Sequence, residues 1–179
     1  WGVFAMQGEA TAGSRFSHTL FSGGSDDRFE RVYYSGMVSV HYSPDAVFSN
    51  CTFRSNVIGD DSFRAAKSGV DLIACDFIDA AGDAVDYDLS TGRIAQCRFV
   101  RAGNDAIDLM SSDLVLEHNL IEGAGDKGIS IGERSHPVLF NNRIADAAIG
   151  IEVKDGSRPV ILRCSVFGRE IGVHAYAKN

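Results

Sequence analysis

One short pattern recurs six times between Cys51 and Cys164: an apolar residue, two residues of any kind, Cys or Asn, one residue of any kind, and a second apolar residue. The copies read FSNCTF, LIACDF, IAQCRF, LEHNLI, LFNNRI and ILRCSV. Their anchors are Cys51, Cys75, Cys97, Asn119, Asn142 and Cys164, and the steps are 24, 22, 22, 23 and 22 residues. A fainter seventh copy, FSHTLF, is anchored at Thr19. A period this regular is the signature of a solenoid, in which each repeat stacks on the next because none can bury its apolar face alone.

The segments ahead of each anchor decide which solenoid. Aligned copies read MVSV, SFRA, AVDY, AIDL, GISI, GIEV and GVHA. Their second and fourth residues are mostly apolar and the third is polar, the period-two alternation of a half-buried strand. No stretch sustains helical periodicity. Each repeat is therefore two or three short strands joined by turns such as AAGD, RAGN and EGAG, and each strand pairs in parallel with its copy one coil away. The expected fold is all-β: a right-handed parallel β-helix of about seven coils, one domain over residues 1–179. Three inward columns are explicit: Phe63, Val85, Ile107, Ile129, Ile151, Val173; Phe48, Leu72, Ile94, Leu116, Leu139, Ile161; and Phe53, Phe77, Phe99, Ile121, Ile144, Val166. The anchors should form a fourth, with Asn bonding to neighbouring coils and Cys filling the same space as free, buried thiols.

This periodicity resembles the pectate-lyase-like β-helix superfamily over nearly the whole chain. The resemblance implies the fold and leaves the activity open, since lyases, hydrolases, epimerases, adhesins and inert scaffolds share it.

Stacking places equivalent side chains about 4.8 Å apart. One outward column reads Arg64, Asp86, Asp108, Ser130, Glu152, His174, a neighbouring one Asp61, Asp83, Asp105, Lys127, Ile149, and a third His41, Ala66, Asp88, Met110, Gly132, Lys154. Asp83, Asp86, Asp105 and Asp108 thus fall in one patch, expected to face solvent. Like charges at this spacing raise one another's pKa, and a hard cation satisfied by carboxylate oxygens, calcium above all, would relieve them. The competing reading is a self-neutralised ladder in which Arg64 and Lys127 supply the cations.

The segment NDAIDL also resembles the calcium-binding Asp-Asp-x-x-Asp segment of family-nine polysaccharide lyases, with Asn104 standing at its first acidic position. That resemblance implies Asp105 and Asp108 as calcium ligands, with Asp83 or Asp86 as the further Asp from the preceding coil, and Lys127 as the base in β-elimination on a uronate polymer; all four Asp are candidate metal ligands, and Arg64 beside them is the second catalytic candidate. Removing a proton beside a carboxylate needs a base of lowered pKa and a cation on the carboxylate. Lys127 beside Asp105 should have its pKa raised unless calcium takes up the charge. Glycoside hydrolysis by the paired carboxylates Asp86 and Asp108 is the other enzymatic variant. NDAIDL together with GDKGISIGE further resembles β-helix domains found beside spore-coat-protein-H-type kinase domains, which implies an extracellular module.

One irregularity stands out. Thr19 to Cys51 spans 32 residues, and the excess lies in an inserted loop, residues 22–34, rich in Arg and Tyr. Insertions on solenoids tend to form the binding face. Arg31, Tyr33 and Tyr34, with His41 and Asp88 from the strands, are candidates for a sugar groove, aromatics stacking on sugar faces and arginines meeting carboxylates.

Composition narrows the partners. A net charge of −7 argues against nucleic acid and against an anionic membrane. No apolar run is long enough to insert into a membrane. Two function classes remain: a secreted or cell-surface domain that binds, and in its enzymatic form cleaves, an acidic polysaccharide with calcium; and a non-catalytic structural or adhesive surface module. The chain begins and ends inside strand patterns, WGVFAM and GVHAYA, so end-to-end self-association or membership of a longer protein is expected.

Overall fold

The computed structural model describes residues 1–177. The chain is an all-β, right-handed parallel β-helix. Six coils follow the regular step of about 22 residues, and one irregular coil, with its strand at Ser14–Ser17, precedes them. The typical coil runs through Asp83–Asp88 on a first face, Thr91–Ala95 on a second and Arg98–Ala102 on a third. In the last coils the third-face strand continues round the corner into the next first-face strand, giving Leu120–Gly132, Arg143–Lys154 and Ser165–Tyr176. First and third faces therefore join in one twelve-stranded sheet, and the second face is a seven-stranded sheet. No described helix is long and apolar enough to cross a membrane.

The three inward columns read from the sequence are in register: Val85 pairs with Phe63 and Ile107, Leu72 with Phe48 and Ile94, and Phe77 with Phe53 and Phe99. Phe53, Phe77 and Phe99 stack ring on ring at 4.7 and 4.9 Å. Inward aliphatics of the middle coils are fully buried, so the core is a continuous rod of apolar side chains.

Two corners of each coil turn on a single left-handed residue. Lys67, Leu89 and Ser111 (φ 52, 50 and 49°) lead from first to second face, and Ala74, Gln96 and His118 (φ 52, 56 and 56°) from second to third. Such a residue without glycine's freedom costs about 1–2 kcal/mol, and the residue after it compensates by laddering. At the second corner Cys97 N–H donates to Asn119 Oδ1 at 2.9 Å, Asn119 N–H to Asn142 Oδ1 at 3.0 Å, and the Asn119 and Asn142 amides donate to the Ile94 and Leu116 carbonyls at 2.8 Å. All four cysteines are free; Cys51, Cys75 and Cys97 are buried, while Cys164 is half-buried. At the first corner an equivalent ladder joins Ser43, Ser68, Ser90, Ser112, Ser135 and Ser157, each N–H donating to the next hydroxyl at 3.0–3.1 Å. The third corner is tight for another reason. A Cβ on Gly82, Gly103 or Gly125 would lie 2.1–2.2 Å from a carbonyl oxygen of the preceding coil, so only glycine fits before the strands that carry the acidic patch.

Residues 22–34 contain an antiparallel hairpin, Asp27–Phe29 paired with Val32–Tyr34, set against the first face beside Gly36–His41. It occludes that face. All six residues of Gly36–His41 and of Asp83–Asp88 are buried, whereas Asp113–Glu117 on the second face keeps the exposed–buried alternation.

Candidate functional site

The first face brings together Asp61, Asp83, Asp86, Asp88, Asp105 and Asp108. Asp61 pairs with Asp83, and Arg64, Asp86, Asp108 and Ser130 follow one another in register on successive coils. The expected stacking is present; the expected exposure is not. Asp83, Asp86 and Asp105 are buried at 7, 7 and 4 % exposure, and only Asp108 of the four is half-open. Alternation along a strand gives the direction of a side chain, but a short side chain in mid-column is roofed by the rungs on either side, here with Arg64 lying across them.

The patch divides in two. In the first part the Arg64 guanidinium forks between Asp86 and Asp88 and lies 3.7 Å from Asp61, whose other partner is the Ser35 hydroxyl at 2.6 Å. Each arm makes a charge-assisted hydrogen bond, stronger than a neutral one. The fork leaves Asp86 Oδ1 and Asp61 Oδ1 buried without a hydrogen-bond partner. Asp86 is thereby paired with Arg64, and the cluster that could hold a metal is Asp83, Asp105 and Asp108.

In the second part Asp83, Asp105 and Asp108 bring carboxylate oxygens within 4.8 Å of one another. Asp83 Oδ1 accepts from Asn104 Nδ2 at 2.7 Å and from Asp105 N–H at 2.8 Å, and Asp105 Oδ1 accepts from Lys127 N–H at 2.9 Å. The donor set, three carboxylates with oxygens to spare, fits a hard divalent cation. Burial, then the neighbouring carboxylates, pushes Asp83 and Asp105 up to about 7 against the bonds they accept. Burial likewise raises Asp61 and Asp86 despite Arg64. A cation entering here would displace protons.

Lys127 sits against two carboxylates. Its Nζ lies 3.5 Å from Asp105 and donates to Asp126. Burial alone would lower its pKa, but Asp126 and Asp105 outweigh burial and raise it, so the amine stays charged.

The sugar-groove candidates separate as well. A groove of about 620 Å³ between hairpin and first face is lined by Arg31, Tyr33, His41, Arg64 and Asp88, together with Tyr42, Asp60 and Lys67. Tyr33 donates to Asp26 Oδ2 at 2.6 Å and keeps a half-exposed ring. Tyr34 is not among these residues: it is buried, its hydroxyl donates to Gln7, and it lines a second groove of about 750 Å³ on the other side of the hairpin. Its place in a sugar-binding wall is corrected accordingly; its ring instead packs 4.7 Å from His41. His41 is buried with Nε2 unpartnered, and burial, aided by the Arg64 charge, lowers its pKa to about 4, so the ring is neutral.

Lys67 and Tyr42 escape a sequence reading because both sit at corners, where a loop residue carries no periodic signal. The Lys67 ammonium lies 5.3 Å over the Tyr42 ring. Asp61 is a repeat-equivalent of Asp83 one coil earlier, and the doublet Asp60–Asp61 marks it in the sequence.

No curated protein and no solved structure matches the chain. Residues 63–179, more than half of the chain, match the family described as the right handed beta helix region, and they carry the repeat, the ladders and most of the acidic column. The chain belongs to the right-handed β-helix family.

Proposed function

We propose that the domain binds an anionic polysaccharide in the groove between hairpin and first face, outside the cell. One observation carries this reading. Arg31 and Lys67 line the groove with no carboxylate partner among the described residues, beside the unpartnered His41 Nε2 and the half-exposed Tyr33 and Tyr42 rings. Arg64 is already held by Asp86 and Asp88, so Arg31 and Lys67 are the groove cations left to meet an anion. Tyrosine faces suit sugar rings, cations meet their carboxylates, and a neutral imidazole offers one bond to a hydroxyl.

In the same reading Asp83, Asp105 and Asp108 would hold a calcium-like cation along the face from the groove. When bound, the cation would supply positive charge that a saccharide carboxylate could meet; Asn104 and the Asp105 and Lys127 amides keep Asp83 and Asp105 oriented with or without it. The reading stops at binding. Elimination would need a neutral Lys127 and an Arg64 free to meet substrate, and both are held by carboxylates.

Titration with polygalacturonate, alginate and a neutral glucan tests this, with and without calcium. The uronate polymers should bind, more weakly as salt rises, and the neutral glucan should not. Lys67→Ala combined with Arg31→Ala should weaken uronate binding at least tenfold without changing the melting temperature. Equal binding of neutral and anionic polymers, or an unaffected double variant, would contradict the reading and favour a structural module.

A further inference from the structure

The groove between hairpin and first face is closed at one end. Its floor follows a single outward column along the solenoid axis: His41, Ala66, Asp88 and Met110 stand in register on successive coils. Rungs about 4.8 Å apart make that floor roughly 14 Å long. At the His41 end it stops at a wall. The Tyr34 and His41 rings pack at 4.7 Å, both buried, at 3 and 7 % exposure. Behind them lies Gln7, in register with His41, which accepts from the Tyr34 hydroxyl. Gln7 and Tyr34 line the separate groove of about 750 Å³, and His41 lines this one, so the two rings are the partition between the grooves. The partition is held in place: Tyr34 ends the second hairpin strand, and the next residue, Ser35, donates to the buried Asp61 at 2.6 Å. No ring stands at the other end. Met110 is followed in register by Gly132, over which lies the flexible chain of Lys154, its ammonium 3.1 Å from the Ser130 hydroxyl.

We infer that the groove receives the end of an anionic saccharide chain and not a stretch of its middle, with the terminal ring seated over Ala66 and the chain leaving toward Met110. The inference rests on the saccharide-binding reading above and adds to it the part of the polymer that is recognised. A linear polymer held by its middle must leave a groove at both ends, and the Tyr34–His41 wall allows one exit along the floor. Ala66 is the smallest side chain of the column and lies between His41 and Asp88, so the floor dips one rung from the wall. An internal ring seated in that dip would drive its next neighbour into the packed Tyr34 and His41 rings. A terminal ring has no such neighbour. Arg31 from the hairpin and Lys67 from the corner line the same groove and can meet its carboxylate.

The test counts protein molecules per saccharide chain. Trimers and length-fractionated long chains of galacturonate and of alginate are titrated with the native protein, and light scattering with protein in excess gives the stoichiometry. One protein molecule should bind each chain at either length, and trimer should compete with polymer mole of chain for mole of chain. Ala66→Leu, at a half-buried outward position, fills the seat without touching the core and should weaken binding of both at least tenfold, with the melting temperature unchanged. Several protein molecules on each long chain would overturn the inference and leave the saccharide-binding reading standing. So would an Ala66→Leu variant that binds as well as the native protein. Binding of neither uronate at either length would remove both.

Discussion

The neutral ladders at two corners and the carboxylate column on the first face are built by the same stacking, yet the chain satisfies one and leaves the other in tension. Serine and asparagine each donate and accept, so a column of them closes its own hydrogen bonds coil after coil: Ser90 N–H to Ser112, Ser112 N–H to Ser135, Asn119 N–H to Asn142. A carboxylate only accepts unless protonated. Its column must find donors elsewhere, and it finds a guanidinium, an ammonium, the Ser35 hydroxyl, the Asn104 amide and a few backbone amides, with Asp61 Oδ1 and Asp86 Oδ1 left over. Identical geometry thus gives a self-sufficient scaffold from neutral residues and a site awaiting protons or a cation from acidic ones. Structure needs the first kind of column. The second kind costs stability, which is the argument for giving it a function.

Removing the cation that holds the acidic column should have the largest effect. Arg64→Met leaves Asp86 and Asp88 buried without their partner and should cost about 3–5 kcal/mol at pH 8, the range for breaking a buried pair. At pH 5, where burial keeps Asp86 protonated, the loss should be clearly smaller; denaturant titrations at the two pH values measure the difference. Breaking a neutral ladder comes next. Asn119→Ala strands the Cys97 N–H and the Ile94 carbonyl and should cost about 2–3 kcal/mol, by the same amount at both pH values. That pH-independence separates the two kinds of column. Ser112→Ala removes the hydroxyl that accepts from Ser90 N–H and donates to the Tyr87 carbonyl, leaves the rest of the ladder intact and should cost about 1 kcal/mol. The smallest change should have the opposite sign: Asp83→Asn keeps an acceptor for Asn104 and Asp105 N–H while removing a charge, and should stabilise by about 1 kcal/mol at pH 8 and little at pH 5.

The repeat made the fold legible. Anchors 22 residues apart fix the register, and register fixes which side chains stack, so the columns through Val85, Leu72 and Phe77 follow from the sequence alone. The serine ladder was equally periodic, seven or eight residues before each anchor, but serine beside a turn reads as loop. The site was legible only as adjacency. Asp83, Asp105 and Asp108 do converge, but the burial of Asp83 and Asp105 depends on how the neighbouring rungs roof a short side chain, which strand alternation does not encode. Tyr34 shows the same limit. In a strand that pairs with the other arm of the hairpin, Tyr33 and Tyr34 must point to opposite sides, and the sequence does not say which side holds the groove.

The most direct test of the acidic column as a strained site is unfolding free energy from pH 5 to pH 8, in chelator and in calcium. Asp83 and Asp105 titrate near 7 when folded against an ordinary 3.8, so between those values the native state holds more protons than the unfolded one. Stability is then fully supported below pH 4 and lost as pH rises through 7. His41, lowered to about 4, works in the other direction below pH 6.5 but is one group against several. In chelator, stability should fall from pH 5 to pH 8. Calcium should restore much of the loss at pH 8 in the native sequence and none of it in Asp108→Asn. Stability that is flat or rising from pH 5 to pH 8 in chelator, with no response to calcium, would show that the column is neutralised from within and would contradict the account.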